Sequence, residues 1–346
     1  FDENLAEQID AKEITGIASQ LISSYEADKE ARSEWEFRYK QGLETLDPNG
    51  GQSEEENQRA TRGLSTVVHP MIAEAATQFN AKAIAELYPS GGPVKTVIVG
   101  DPSEEMEEQA TRVKDYMNYQ ITQEMPEYFP DLDQMLFQLP LIGHTFKKVW
   151  WDANLDRQCS QFVKAEDFIV SPESKDLYTS NRYTHVIRMP KNDFNKYVKA
   201  GYYLPSKYTG DDIDPSGDIG SEIEGVDPYG DSEDEMMTLL EVHAYQTLDG
   251  IDGGGEDDDD NIVALPYVIT IDYDAENIVS VRRNWNEEDE LQKRRDWFVS
   301  YKFLPGTGFY GFGLFHMIGG LGKAATGSLR ALLDSAAFAN MQGGFK

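Results

Sequence analysis

Only one of the 346 residues is a cysteine, Cys159, so the chain can build no internal disulfide and suits a reducing compartment or a particle assembled in one. Basic residues are scarce as well: 31 Lys and Arg stand against 62 Asp and Glu, a formal net charge of −31. That balance argues against a protein that grips nucleic acid through a broad basic face, without excluding one that must avoid gripping it. Long apolar runs are missing. The uncharged 20-residue stretch from Phe303 to Gly322 holds seven glycines, Pro305 and His316, so its apolar density is too low for a stable membrane span. The N-terminal segment is polar and acidic, without the apolar core of a signal peptide. No period of 20–50 residues recurs, which argues against a solenoid.

What is present indicates a folded chain. Hydrophobic residues are 40% and aromatics 11%, too many for an acidic disordered protein, and the length allows about two domains. The acidity is local. From Tyr208 to Val281 there is no Lys or Arg, while 22 Asp and Glu fall in those 74 positions; the other 272 residues carry 40 acidic and 31 basic side chains, a net of −9. The chain opens at Phe1 without a methionine and closes on Gly343-Gly344-Phe345-Lys346 after a helical pattern, as expected of a piece of a longer or processed chain.

Helical periodicity dominates the first part. Apolar residues from Ile14 to Leu46 recur at three- and four-residue steps and predict one long helix. A second is expected from Pro70 to before Pro89, a third from Asp101-Pro102 to Pro126, and a fourth from about Asp131 to Leu139. Val94–Val99 reads as a short strand. After Gly143 the pattern turns to strands at 146–151, 161–164, 184–189 and 238–246, with a hairpin of 267–273 and 278–285. One helix interrupts them, with Asn192 as its expected N-cap and Gly201 as its stop. From Pro305 a glycine-dense run leads into a last helix. The fold class is therefore α+β.

The search for chemistry finds little. Asp212-Ile213-Asp214-Pro215-Ser216-Gly217-Asp218-Ile219 fills several positions of a calcium loop, making Asp212, Asp214 and Asp218 weak calcium candidates. Position 12 is Ile223 instead of a bidentate Glu, and Pro215 intrudes, so a solvated acidic loop is the better reading. Glu256 and Asp257–Asp260 form a like-charge block typical of linkers and loop tips. Gly322-Lys323-Ala324 lacks both the earlier glycine and the Ser or Thr of a phosphate loop. The five histidines, at 69, 144, 185, 243 and 316, lack partners at ligand spacing, so no zinc site is expected; His185 and His243 read as core or sheet-face residues. No nucleophile elbow or Ser-His-Asp arrangement appears, so neither enzyme activity nor a cofactor is expected. Gly319, Gly320, Gly322 and Gly327 each cost a helix about 1 kcal/mol and call for a compensating close contact, such as identical helices packed side by side.

In chain order, 62–89 (RGLSTVVHPMIAEAATQFNAKAIAELYP), 116–122 (YMNYQIT), 139–152 (LPLIGHTFKKVWWD), 163–172 (VKAEDFIVSP), 184–203 (THVIRMPKNDFNKYVKAGYY) and 303–345 (beginning FLPGTGFYGFGLFHMIGG) resemble bacteriophage portal proteins, the head–tail connectors of tailed phages. The resemblance implies a dodecameric ring whose channel passes double-stranded DNA during packaging and ejection. It implies a wing domain over residues 1–304, helical to 142 and β-rich from 143, with acidic loops at 209–235 and 249–261. Residues 305–346 would be the first stem helix, the clip and crown lying outside this chain. Terminase, the capsid protein and a tail adaptor would be its partners, without a membrane, at the capsid vertex of the virion after assembly in the host cytoplasm. Lys323 and Arg330, seven apart and so on one helical face, are the candidates for touching DNA or a neighbouring subunit, with a solvated edge as the alternative. The competing function is a calcium-dependent binding or adhesion module using the acidic loops.

Overall fold

The computed structural model describes residues 3–44, 54–153, 155–206, 236–252 and 263–340. Among them the protein is mixed α+β, with two antiparallel sheets, and the chain divides into two units.

The first unit comprises residues 1–36 and 164–297. Its sheet has the order β3-β4-β5-β6-β7, from β3 (Phe168–Val170), β4 (Arg182–Pro190), β5 (Met236–Gln246), β6 (Leu265–Asp272) and β7 (Asn277–Arg283). Alternate residues of a strand face opposite ways, and here both faces are largely apolar. Ile169, Val186, Leu240, Val242, Tyr267, Ile269 and Val281 pack with Ile17, Ala18, Leu21 and Tyr25 of helix α1 (Ala11–Ala31). Asp10 starts that helix by accepting a hydrogen bond from the Lys12 amide at 3.1 Å. On the other side, Phe194 of α7 (Lys191–Lys199) packs with Met237, Leu239 and Val279.

Two expectations are corrected in this unit. The helix read as continuous from Ile14 to Leu46 breaks at Arg32 into α1 and α2 (Ser33–Glu44). The reason lies in the Arg32 side chain, only 4% exposed, whose guanidinium donates to the carbonyls of Ala165, Phe168 and Glu166 at 2.9, 2.8 and 2.6 Å. Asn192 is not a cap either: α7 begins at Lys191, with Pro190 in the cap position and no side-chain hydrogen bond. Strand β4 ends at Pro190, whose fixed φ already opens the helix, so no position remains for a capping side chain.

The second unit comprises residues 37–163 and 298–346. It holds α3 (Glu54–Thr61), α4 (Met71–Leu87), α5 (Glu104–Tyr119), a π turn at Gln120–Glu124, α6 (Tyr128–Ile142) and the final helix α8 (Leu314–Asn340). Its sheet orders β2-β1-β8, from β1 (His144–Asp152), β2 (Arg157–Val163) and β8 (Phe298–Lys302). Leu132, Met135 and Leu136 of α6 pack with Phe162 and with Phe79, Ala83 and Ile84 of α4. Val94–Val99 is not a strand: no other strand of the described chain pairs with it. Strands β3 and β8, with three and five residues, were too short to stand out in the sequence.

Candidate functional site

Helix α8 carries both candidate cations. Its start is set by glycine. Gly143, at φ +93°, caps α6, and a side chain there would collide with the backbone of Phe312 and Gly313. The Gly313 amide donates to Nδ1 of His316 at 3.1 Å, while the His316 amide donates back to the Gly313 carbonyl at 3.1 Å, a reciprocal cap. Burial and the nearby Arg38 hold the His316 pKa below the ordinary histidine value, which keeps Nδ1 an acceptor.

One polar stripe runs down the helix at 323, 326, 330 and 334, spaced three and four apart. It holds the segment Ser65–His69 antiparallel to α8. Asp334 accepts from the Ser65 amide at 2.6 Å and pairs with Arg59 at 2.8 Å. Arg330 donates to the carbonyls of Val67 and Thr66 at 2.8 and 3.1 Å. Thr326 Oγ1 accepts from the His69 amide at 3.1 Å. Lys323 is exposed, with Nζ 3.4 Å from Gln41 Oε1 and 5.5 Å from the Phe315 ring centre. The two candidates thus differ: Arg330 is engaged by its own chain's backbone carbonyls, whereas the exposed Lys323 ammonium makes one long hydrogen bond, to Gln41.

The helix glycines also divide. Gly319 is covered by the Phe315 ring and Gly322 by Ile72 and Met71, so both are compensated within the chain. Gly320 and Gly327 have nothing within 4 Å of where a Cβ would sit. They belong to an outward face with Met317, Leu321, Leu332 and Phe338, of which Leu321, Leu332 and Phe338 are each 66–69% exposed. This face is largely apolar, mixes small and large residues, and is uncovered among the described residues.

A polar chain in the first unit escaped the sequence reading. Glu241 lies beside both sheet histidines, its Oε1 3.0 Å from His243 Nε2 and 4.0 Å from His185 Nδ1. The Trp297 indole donates to Asn284 Oδ1 at 2.7 Å, and the Asn284 amide nitrogen lies 3.4 Å from His243 Nδ1. With Nε2–H directed at Glu241, the imidazole can accept from Asn284, so every donor in the chain points the same way. Glu241 precedes His243 by two residues, which on a strand means the same face; that spacing was the available signal. Tyr183 stacks on His243 at 4.8 Å. This arrangement orders a polar patch on the sheet. Among the described residues no group of three or more His, Cys, Asp and Glu is placed to hold a metal. The calcium candidates Asp212, Asp214 and Asp218 lie outside the described residues.

His144 is another buried polar side chain, fully enclosed beside Phe146 and Phe309, with neither ring nitrogen hydrogen-bonded. Burial, with a smaller push from Lys302, drives its pKa down to about 3, so the ring packs as a neutral aromatic. No helix among the described residues is long and apolar enough to cross a membrane.

No family model matches the chain, and no curated protein matches it.

Proposed function

We propose that this chain is a subunit of a phage portal, a non-enzymatic ring that conducts double-stranded DNA into and out of a capsid and joins head to tail. The observation that carries the reading is the outward face of α8, where Gly320 and Gly327 lower helix stability with no compensating contact among the described residues. Leu321, Leu332 and Phe338 beside them are exposed in the single chain. Helices from neighbouring subunits, packed along this face, would cover the apolar side chains and use the missing Cβ atoms for close approach. The ordered blocks that resemble portal proteins supply the direction: α8 as the first stem helix, and the sheets and preceding helices as the wing. In this reading the ring has twelve subunits, sits at the capsid vertex after assembly in the host cytoplasm, and meets terminase, capsid protein and a tail adaptor.

The polar stripe refines the choice between the two cations. Arg330 and Asp334 would keep α8 fixed to Ser65–His69. That leaves Lys323 as the stem cation for passing DNA or a neighbouring subunit. A channel that lets DNA slide needs few phosphate contacts, because each tight one opposes movement.

Mass photometry and negative-stain imaging of the purified chain test the proposal. Rings of about twelve subunits are expected from the resemblance, and Leu321→Asp with Leu332→Asp should reduce them to single chains. A wild-type chain that stays monomeric across the micromolar range, with no rings on the grid, overturns it.

A further inference from the structure

The segment before α5 explains why a strand was expected where none is assigned. Lys95, Val97 and Val99 are exposed, while Val94, Thr96 and Ile98 are half-buried, the alternation of an extended strand with one covered face. The covered face lies on α5. Val94 donates its amide to Asn118 Oδ1 at 2.9 Å, Asn118 Nδ2 donates to the Val94 carbonyl at 3.1 Å, and Thr96 Oγ1 donates to the Ala110 carbonyl at 3.1 Å. The segment therefore runs antiparallel to the helix that follows it, turning at Gly100, whose φ is +103°. Its outer edge is open: the main-chain N–H and C=O groups of residues 95–99 make no hydrogen bond among the described residues. Val97 and Val99 are 85% and 96% exposed.

Helix α5 is equally uncovered. None of its 16 residues is buried, and Met106, Val113, Tyr116, Met117 and Tyr119 are exposed. Isolated helices of this length are marginal, and protein helices draw most of their stability from a packed face. An extended β-branched segment with free edge groups, lying on a helix without a buried residue, has main-chain groups and apolar surface open to a further strand.

We infer that the Val94–Val99 edge pairs with the same segment of a second copy, in antiparallel orientation. Charge selects that occupant and that direction. Lys95 stands at the start of the segment, and Asp101, Glu104 and Glu105 follow its end. Antiparallel pairing brings each Lys95 to the acidic end of the other copy. It also sets the acidic first half of one α5, with Glu104, Glu105, Glu107 and Glu108, alongside the half of the other that carries Arg112 and Lys114. Parallel pairing in register would set Lys95 against Lys95 and acids against acids, which is unfavourable. Each edge gains main-chain partners from the other, and Val97 and Val99 gain neighbours across the pair.

This contact is two-fold and closes on itself, whereas a ring is built from head-to-tail contacts. The inference therefore goes beyond the portal reading: it joins two chains, or two rings where rings form. The test uses the full chain in mass photometry across a concentration series. Wild type should show paired species. Lys95→Asp, a change at an exposed position, should weaken pairing at least tenfold, and adding Asp101→Lys to it should restore it. As a second measurement, Val97→Cys should yield disulfide-linked pairs on mild oxidation, with the buried Cys159 changed to Ser. Pairing that ignores Lys95→Asp, or a double variant that stays as weak as the single, overturns the inference. Rings that assemble while no paired species respond to these changes would sink it and leave the portal proposal standing. Charge-dependent pairs without any rings would do the reverse.

Discussion

Helices α1 and α5 are of comparable length and both carry acids in the first turn, yet only one is covered. Helix α1 buries Ile17, Ala18, Leu21, Ile22, Tyr25 and Asp28 on the first unit's sheet. Its C-terminal end is anchored by Arg32, which satisfies three backbone carbonyls. Helix α5 buries nothing. The outer face of α8 belongs with α5 in this respect, since its large apolar residues also face outward. Both segments carry local helix signals, α5 being shorter and more acidic, and the difference in burial lies in what tertiary structure offers each.

The comparison can be broken or sharpened by measurement. The largest effect is expected at the anchor of α1. Arg32→Met leaves the carbonyls of Ala165, Glu166 and Phe168 without their donor, and should cost about 3–5 kcal/mol of unfolding free energy in urea. A loss below 1 kcal/mol would mean that α1 is held by its apolar face alone.

Acid should strike the covered regions next, because α5 and the segment before it contain no histidine. His144 in the folded chain is held near pKa about 3, against the ordinary histidine value of 6.5 when unfolded. The unfolded state therefore binds the proton first. The stability tied to neutral His144 is complete above pH about 6.5 and falls progressively as the pH drops toward 3, by up to about 4 kcal/mol. His144→Phe should flatten the fall in melting temperature over that window, and an unchanged pH profile would refute the assignment.

Glycines on α8 give a smaller effect of opposite sign. Gly320→Ala and Gly327→Ala meet open space and should each raise the stability of the single chain by about 1 kcal/mol. Gly319→Ala must displace the Phe315 ring and should show no such gain. Equal gains at all three positions would erase the distinction between the helix's inner and outer faces. The smallest change is expected on α5: Val113→Ala should alter single-chain stability by less than about 0.5 kcal/mol, as surface substitutions do. A loss above 2 kcal/mol would show that α5 is covered after all.

Much of the fold was legible because the signal is local. Periodicity placed α4 to within a few residues, and the β6–β7 hairpin around Asp274-Ala275-Glu276-Asn277 followed from two alternating runs and a turn, whereas α8 starts only at Leu314, nine residues after the 305 expected of the stem helix, because the glycine-dense run before it is not helical. Two of the misreadings share an origin in distant contacts. Arg32 sits in an unbroken helical pattern, and only carbonyls more than 130 residues away draw its side chain inward and end the helix there. Val94–Val99 has the composition and alternation of a strand, but a strand exists by pairing, and no partner lies in the described chain. The α8 stripe was half visible: Lys323 and Arg330 stand seven apart, but that Thr66 and Val67 take up Arg330 depends on a segment some 260 residues earlier.

The sequence by itself determined where charge is concentrated, which segments prefer helix or strand, and which faces are apolar, since these depend on residues within a few positions of one another. The tertiary structure alone decided that β8 closes the sheet of β1 and β2, that Glu241 joins two histidines, and that Gly319 and Gly322 are covered while Gly320 and Gly327 are not. It also decided that one strand-like edge and two helix faces stay open. Pairing and burial are properties of distant residues brought together, and a local pattern states a preference without naming the partner that fulfils it.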